Sequence, residues 1–153
     1  MSAVPHLTPD DVAAVRAVVR EAGTGALAVT LEEGTTLRLL SPLGVVLSEW
    51  RLTIGSDPSV GVLTPGPMPV ELEGLGLGLR MIDAGEREVA TLGCAIARLL
   101  LGPDVRSLLP RLVDRGYAPV RSRAAADDAA HDADEGGALF RRETVISWIE
   151  RRL

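Results

Sequence analysis

The residues of this chain best suited to chemistry are three alternate glycines near its middle. Glycine leaves backbone N–H groups uncovered, and the amphipathic pattern that follows predicts that these glycines lie where a helix begins. Uncovered amides at the positive end of a helix can hold an anion, often a phosphate. The candidate binding residues are therefore Gly74, Leu75, Gly76, Leu77, Gly78 and Leu79.

Other residues that could take part in chemistry are few, and the catalytic residues stay unassigned. Glu32 and Glu49 are candidate general bases, although each also fits a charge on the solvated face of a sheet. Cys94, the single cysteine, excludes an internal disulfide. Without a histidine nearby in sequence, its thiol is interpreted as packed and inert.

An acidic, alanine-rich segment follows position 120 and is typical of a mobile loop, which we place at residues 122–138. Its carboxylates and histidine could in principle hold a metal ion. Solvated acidic runs are much more common than metal sites, so no metal is predicted. The residues concerned are Asp127, Asp128, His131, Asp132 and Asp134.

The helix after the glycines is predicted to end near Leu92 and to turn Ile82, Val89 and Leu92 inward. Its charged residues, Glu86 among them, are predicted to face mostly outward. The same pattern leaves open where this helix begins and which segment is the preceding strand.

Two placements of the glycines are compatible with the sequence. In the first, residues 68–72 end a strand and residues 73–78 form a loop that cradles a phosphate. In the second, residues 59–63 are the strand and the helix begins near Pro69. The glycines then lie inside the helix, at a cost of about 1 kcal/mol each relative to alanine.

The apolar segment 95–101 predicts a strand covered on both faces. Its one charge, Arg98, is interpreted as an ion-pair partner or as a cation facing a pocket. A helix capped by Asp104 is predicted next, with Pro110 in an early turn, where proline is better tolerated. Gly116 is the predicted stop of this helix.

The first half of the chain predicts one helix followed by three antiparallel strands. Thr8 is a helix cap, and the strands are predicted at residues 26–31, 36–40 and 45–54, the first two joined by a hairpin. Trp50, on the third strand, is interpreted as a core residue or a pocket wall. At the other end, segment 139–153 is ambiguous by period: its apolar residues can line a helix face, whereas residues 144–150 are rich in strand formers.

The 153 residues are enough for one domain with a full core, and we expect a single domain over residues 1–153. The formal net charge of −5 disfavours sequence-independent binding to nucleic acid. It also disfavours a DNA-binding regulator with a helix-turn-helix in residues 87–116. The sequence contains neither a leader pattern nor an apolar run of membrane-spanning length, so we expect a cytoplasmic, soluble protein without a membrane partner.

The order of these segments resembles the acyl-CoA N-acyltransferase superfamily related to Gcn5 (the GNAT fold). Residues 73–78 copy the spacing of its signature: Arg or Gln, two residues, Gly, one residue, Gly or Ala. Residues 115–120, Arg-Gly-Tyr-Ala-Pro-Val, resemble the start of a later strand of the family. The resemblance implies that segment 139–153 is the final strand, antiparallel to residues 117–121, and we predict a strand there. The resemblance implies an α/β fold with a mixed, mostly antiparallel sheet flanked by helices on both faces. It covers the second half of the chain closely and the first half only in layout.

The resemblance also implies a function: transfer of an acyl group from acetyl-CoA to an amine on a small molecule or peptide. The glycine segment would hold the pyrophosphate, and the pantetheine arm would lie where strand 95–101 splays from its predecessor. Two positions depart from the family. Glu73 stands where a cation or amide is usual, and Leu112 where many members carry a tyrosine that protonates the departing thiolate. These departures motivate an alternative, a non-catalytic protein that binds a ligand or partner on the same scaffold.

Overall fold

A computed structural model of the protein describes residues 7–120 and 148–153. The segment 122–138, with its candidate metal ligands, lies outside the described residues, as does most of segment 139–153. The elements, in chain order, are α1 (Pro9–Ala22), β1 (Val29–Glu32), β2 (Thr36–Leu40), β3 (Val46–Ile54), β4 (Val60–Thr64), α2 (Leu77–Thr91), β5 (Ile96–Leu100), α3 (Pro103–Arg106), α4 (Leu109–Asp114), β6 (Ala118–Pro119) and β7 (Trp148–Arg152). Single 3₁₀ turns lie at Thr24–Ala26 and Val70–Leu72.

The strands form one sheet in the order β1-β2-β3-β4-β5-β7-β6. The only parallel pair in the described part of the chain is β4 with β5, which α2 connects; the other neighbours are antiparallel. The predicted fold class, a mixed and mostly antiparallel sheet with helices, is confirmed. The predicted hairpin is confirmed as well, with Glu33 and Gly34 both at positive φ in its turn.

Helix α1 begins where the sequence predicts. The Thr8 hydroxyl accepts a hydrogen bond from the Asp11 N–H at 3.2 Å, and the Asp11 carboxylate accepts one from the Thr8 N–H at 3.1 Å. This reciprocal capping box satisfies two N–H groups that the first turn would otherwise leave unpaired. Val15 is fully buried and joins α1 to the core.

One face of the sheet carries most of the core, and α2 packs on it. Leu52, Leu63, Leu99 and Ile149 are paired in register across four strands, so their side chains share this face, and each is almost completely buried. The opposite face carries cross-strand ion pairs, described below. Burial of these leucines and isoleucine removes apolar surface from water and fixes the register of the sheet, because a slip by one residue would expose them.

Helix α2 approaches β4 closely because two glycines lie at the contact. A Cβ added to Gly85 would lie 2.7 Å from both Cδ atoms of Leu63, and one added to Gly61 would lie 2.6 Å from Val89 Cγ1. Leu63 and Val89 are fully buried and have no room to move. Gly85 contacts Leu63, and Val89, one turn later in the helix, contacts Gly61, which is earlier in the strand. Helix α2 therefore runs antiparallel to β4, and its first turn lies beyond Leu63.

The proline-rich segment after β4 stays beside β3 instead of turning at once into the helix. Gly66 lies against the backbone of Glu49, in continuation of the register that pairs Arg51 with Thr64. A Cβ on Gly66 would overlap the Glu49 carbonyl oxygen, at 1.9 Å. The Ser48 hydroxyl donates to the Pro67 carbonyl at 2.8 Å, and this side-chain hydrogen bond ties the segment to β3.

The pairing between strands β4 and β5 ends at this point. Their pairing ends at Leu63 and Leu99, after which the β4 chain follows β3. Strand β5 follows β7 instead, with Leu100 opposite Trp148. Backbone pairing between the two strands thus stops here, and we call the region between residues 64–67 and residues 100–102 the cleft. It lies at the carboxyl ends of the one parallel pair in the described sheet, the end at which α2 begins.

The structure combines the two placements of the glycines. The strand, Val60–Thr64, follows the second placement, whereas the loop with helix start at Leu77 follows the first. The intervening segment is accommodated beside β3 and in the turn Val70–Leu72. The sequence could not show this because a stretch of prolines beside a strand has neither strand nor helix periodicity.

The helix expected after β5 is divided in two. It begins at Pro103, with Gly102 rather than Asp104 at the cap position, and breaks before α4. A continuous helix would need the N–H of Pro110 to reach the carbonyl of Arg106, and proline has no N–H. Gly116, at φ 103°, ends α4 as predicted. The inward placement of Leu92 was wrong: it follows the last residue of α2 and is 54% exposed.

Gly66→Ala tests how tightly the segment after β4 is held against β3. We expect it to lower the free energy of unfolding by at least about 2 kcal/mol, because backbone must move away from backbone. Gly25→Ala, where an added Cβ meets nothing within 4 Å, should change it by less than about 0.5 kcal/mol. Chemical denaturation measures both. Equal stability of the two variants would mean that the close approach of Gly66 to Glu49 is wrong.

Candidate functional site

The candidate site is the glycine segment at the start of α2, residues 74–79, which lies at the cleft. We call this segment the mouth. Gly76 is the cap residue of α2, in the left-handed conformation at φ 80°, and Gly74 has φ 83°. Both conformations favour glycine, which accounts for its use here. The N–H groups of Leu77, Gly78 and Leu79 open the helix and have no partner within it. Such amides, with the helix dipole behind them, are suited to an anion.

Space around the mouth differs from glycine to glycine. A Cβ on Gly74 would meet nothing within 4 Å, and one on Gly76 would meet only Thr24 Cγ2 at 3.9 Å. A Cβ on Gly78, in contrast, would lie 2.8 Å from Leu108 Cδ1. Gly74 and Gly76 therefore leave room for a ligand, whereas Gly78 lets the segment before α4 pack on the helix.

The leucines between these glycines serve the core. Leu77 is buried at 2% exposure, and Leu75 and Leu79 are half-buried against the same core. Their side chains anchor the segment while its backbone remains available. The structure thus brings all six predicted binding residues together at one helix start, and their role in binding stays a prediction.

Charges around the mouth are mixed. Glu73 is exposed, just before the left-handed glycines. Arg80, one turn into α2, donates from Nε to the Thr24 carbonyl at 3.1 Å and from Nη2 to the Leu27 carbonyl at 2.9 Å. Arg80 thus fixes the first turn of α2 to the segment after α1, and it adds a positive charge close to the helix start.

Leu112 is a core residue. It is completely buried, so the position where the family often has a tyrosine offers no proton donor here. Tyr117, five residues on, does not replace it, because its hydroxyl donates to Glu86 Oε2 at 2.7 Å inside the protein. No acid for a departing thiolate is therefore visible at these two positions.

Glu86 is the centre of a buried polar network, and its predicted outward placement was wrong. It is 8% exposed and accepts hydrogen bonds from Arg115 at 2.6 Å and from Arg151 at 3.1 Å, besides that from Tyr117. Arg115 also pairs with Asp83. The network connects α2, the start of β6 and β7.

Sequence reasoning missed Glu86 because its donors come from segments far away in the chain. A signal was nevertheless present. Glu86 lies one position after Gly85 and four after Ile82, which are both buried, so it is on the sheet side of α2. A carboxylate there needs several donors, because an isolated buried charge is costly.

Two ion pairs lie on the sheet face away from α2. Arg98, 4% exposed, pairs with Glu150 at 3.3 Å, which agrees with its interpretation as an ion-pair partner. The candidate base Glu49 pairs with Arg38 at 3.7 Å and lies one strand from the cleft. Glu32 is exposed at the end of the edge strand β1, three strands from β4, and so is poorly placed for chemistry at the cleft.

The remaining candidates have structural explanations. Cys94 is buried, and its thiol donates a weak hydrogen bond to the Pro58 carbonyl at 3.6 Å. Within residues 7–120 and 148–153, no cluster of metal-ligating side chains is found. The same ranges contain no helix with the length and apolar character needed to cross a bilayer.

Comparison with solved structures finds proteins that share the fold of this chain at low sequence identity. The fold matches a protein of Klebsiella pneumoniae provisionally assigned as an acyl-CoA N-acyltransferase (TM-score 0.56, 16% identity, 94% of this chain and 88% of that one). It also matches the PaiA N-acetyltransferase of Thermoplasma acidophilum, solved with coenzyme A (0.51, 11%, 77% and 60%). A third match is N-acetylglutamate synthase of Neisseria gonorrhoeae, solved with coenzyme A and N-acetylglutamate (0.53, 13%, 99% and 34%).

No protein-family model and no curated protein matches the sequence. The chain spans only about a third of the synthase it matches, 34% of that chain. At these identities the matches establish the fold. The chain has the GNAT fold, as the resemblance of residues 73–78 and 115–120 predicted.

Tyr117 offers a direct test of the Glu86 network. Burial, followed by its hydrogen bond to Glu86, raises the pKa of Tyr117 well above the ordinary value of about 10. We expect no tyrosinate absorbance in the folded protein near pH 11 and full absorbance once it is unfolded. Because the pKa of Tyr117 is higher in the folded state, protonated Tyr117 stabilises the folded protein fully below about pH 10. This contribution to the free energy of unfolding falls as the pH rises further.

Tyr117 is the one tyrosine of the chain, so the ultraviolet signal is unambiguous, and Tyr117→Phe supplies the blank. A tyrosinate signal that titrates near pH 10 in the folded protein would contradict the buried network.

Proposed function

We propose that the protein is an acyl-CoA-dependent N-acyltransferase that transfers an acyl group, acetyl in the simplest case, to an amine. The observation that carries this proposal is the cleft between β4 and β5, which opens at the start of α2. The GNAT fold and the coenzyme A complexes among its structural matches support it. The acceptor would be a small-molecule or peptide amine.

Open space and uncovered amides at the mouth support the pyrophosphate of coenzyme A as the anion bound there. The amides of Leu77, Gly78 and Leu79 would hold the pyrophosphate, with open space at Gly74 and Gly76 for its approach. Backbone groups of residues 64–67 and 100–102 would pair with the amides of the pantetheine arm. When bound, the cofactor supplies the activated thioester.

The chemistry asks little else of the protein. The acceptor amine attacks the thioester carbon, the C–N bond forms, the C–S bond breaks, and the amine loses a proton. The chain must hold the two reactants together, take up that proton and exclude water. Glu49, one strand from the cleft, is the better placed of the two candidate bases and would act through water. Since Leu112 offers no acid, the thiolate would leave unprotonated or take its proton from solvent.

The mouth can be tested with a pair of variants that differ only in charge. Asparagine and aspartate both tolerate the left-handed conformation, and an added Cβ at position 76 meets only Thr24 at 3.9 Å. We expect acetyl-CoA to raise the melting temperature of the wild type in a concentration-dependent way. Gly76→Asn should keep this effect, whereas Gly76→Asp should weaken binding at least about tenfold through repulsion of the pyrophosphate.

Equal responses of Gly76→Asn and Gly76→Asp would place any binding elsewhere. The absence of a shift in the wild type at millimolar acetyl-CoA would favour the non-catalytic alternative.

Removal of the charge of Glu73 is predicted to strengthen acetyl-CoA binding. Its exposed carboxylate repels a pyrophosphate at the mouth, so Glu73→Gln should tighten acetyl-CoA binding about three- to tenfold, with a smaller gain at high salt. Glu33→Gln removes an equal charge at the far hairpin and should have no effect. Isothermal titration calorimetry measures both. Unchanged affinity in Glu73→Gln would show that the anion does not sit beside this residue.

A further inference from the structure

A row of three polar side chains crosses the sheet and ends at the cleft. Thr36, Arg51 and Thr64 are paired in register on β2, β3 and β4. Arg51 and Thr64 alternate along their strands with Leu52 and Leu63, which face α2, so the row lies on the opposite face of the sheet. Thr64 is the first residue of the cleft. We call these three residues the polar row.

The groups of the polar row are not engaged within the described part of the chain. Arg51 is exposed, and neither its guanidinium nor the two threonine hydroxyls forms a hydrogen bond or ion pair with another described residue. Other charged groups on the same face form ion pairs, Arg38 with Glu49 and Arg98 with Glu150. The row therefore offers a cation and two hydroxyls to a ligand.

Under the proposed function, the acceptor reaches the cleft from this face. The mouth is at the start of α2, and the cofactor proposed above occupies the α2 side of the sheet. The other side of the cleft is left to the acceptor. Side chains of directly paired residues have Cβ atoms about 4.5–5.5 Å apart, so the Arg51 guanidinium lies within reach of a molecule held at Thr64.

The chemistry of the polar row favours a carboxylate. The planar guanidinium donates two parallel hydrogen bonds to a carboxylate, and a hydroxyl on each side can donate one more. The charges next to the row on this face are those of Arg38, Arg51 and Glu49, two positive and one negative. Their sum of one positive charge matches a monoanion better than a phosphate, which carries nearly two negative charges.

The candidate base lies on the same face. Glu49 precedes Arg51 by two residues, a distance of about 6.8 Å along the strand. A small acceptor whose carboxylate is bound at Arg51 would therefore keep its amine within this short span of Glu49 and of the cleft.

We propose that the acceptor is an amine that also carries a carboxylate, such as an amino acid, and that Arg51 binds this carboxylate together with Thr36 and Thr64. The carboxylate takes no part in the bond changes and holds the amine at the cleft. This inference rests on the proposed function, and it names the chemical class of the acceptor.

The test compares acceptors that differ only in this anion. Release of coenzyme A thiol from acetyl-CoA is measured with the standard L-amino acids and with their amides, in which the carboxylate is replaced by a neutral group. We expect turnover of at least one amino acid, with a KM about tenfold or more below that of its amide, the value of hydrogen bonds to a charged group.

A pair of variants assigns the preference to Arg51. Arg51→Gln should raise the KM of the amino acid about tenfold, and it should leave the KM of acetyl-CoA and turnover of the amide unchanged. Arg152→Gln removes an equal, exposed charge from the same face at β7 and should change none of these values. Equal effects of the two variants would assign the preference to overall charge and overturn the proposal.

Failure of this inference can be distinguished from failure of the proposed function. If acetyl-CoA raises the melting temperature but no amino acid is turned over, or acid and amide react equally, the acceptor class is wrong and the cofactor proposal stands. A preference for phosphoethanolamine over every amino acid would likewise overturn the carboxylate. The absence of acetyl-CoA binding would overturn both proposals.

Discussion

The pairing of β4 with β5 ends after Leu63 and Leu99, and the candidate site depends on this one break. Beyond this point the β4 chain lies beside β3 alone, and β5 lies beside β7 alone. The prolines after β4 make the separation possible, because they donate no hydrogen bond that would call for a strand beside them. Gly66 then allows the segment to lie directly against Glu49. The two strands can therefore separate within the sheet, because the prolines have no N–H groups that would need a partner.

Two features hold α2 in place over this opening. Gly61 and Gly85 allow it to approach β4, and Glu86 ties it to β7 and to the start of β6. Removal of Glu86 would take the buried carboxylate from Arg151 and leave Arg115 with Asp83 alone. The start of α2 is therefore held at a fixed position relative to the end of the β4–β5 pairing.

The sequence predicted the order of elements well, since the periodicity of each strand and the Thr8 cap are local signals. The glycine segment was located for the same reason, because alternate glycines before an amphipathic run indicate a helix start from the local sequence alone. What could not be predicted were contacts between distant segments. The burial of Glu86 depends on donors at positions 115, 117 and 151, and the route of residues 65–67 depends on β3. The helical spacing of Glu86 from Ile82 indicates its face but not its donors, and the route of residues 65–67 has no periodic signal.

The bond from Arg80 to the carbonyls of Thr24 and Leu27 has a mechanical consequence. It joins the first turn of α2 to the only segment that connects α1 with the sheet. Displacement of α1, by a partner or by loss of its Thr8 cap, would strain the hydrogen bonds of the Arg80 guanidinium, which hold the first turn of α2 in place. The segment after the N-terminal helix and the glycine turn are thus linked through one side chain.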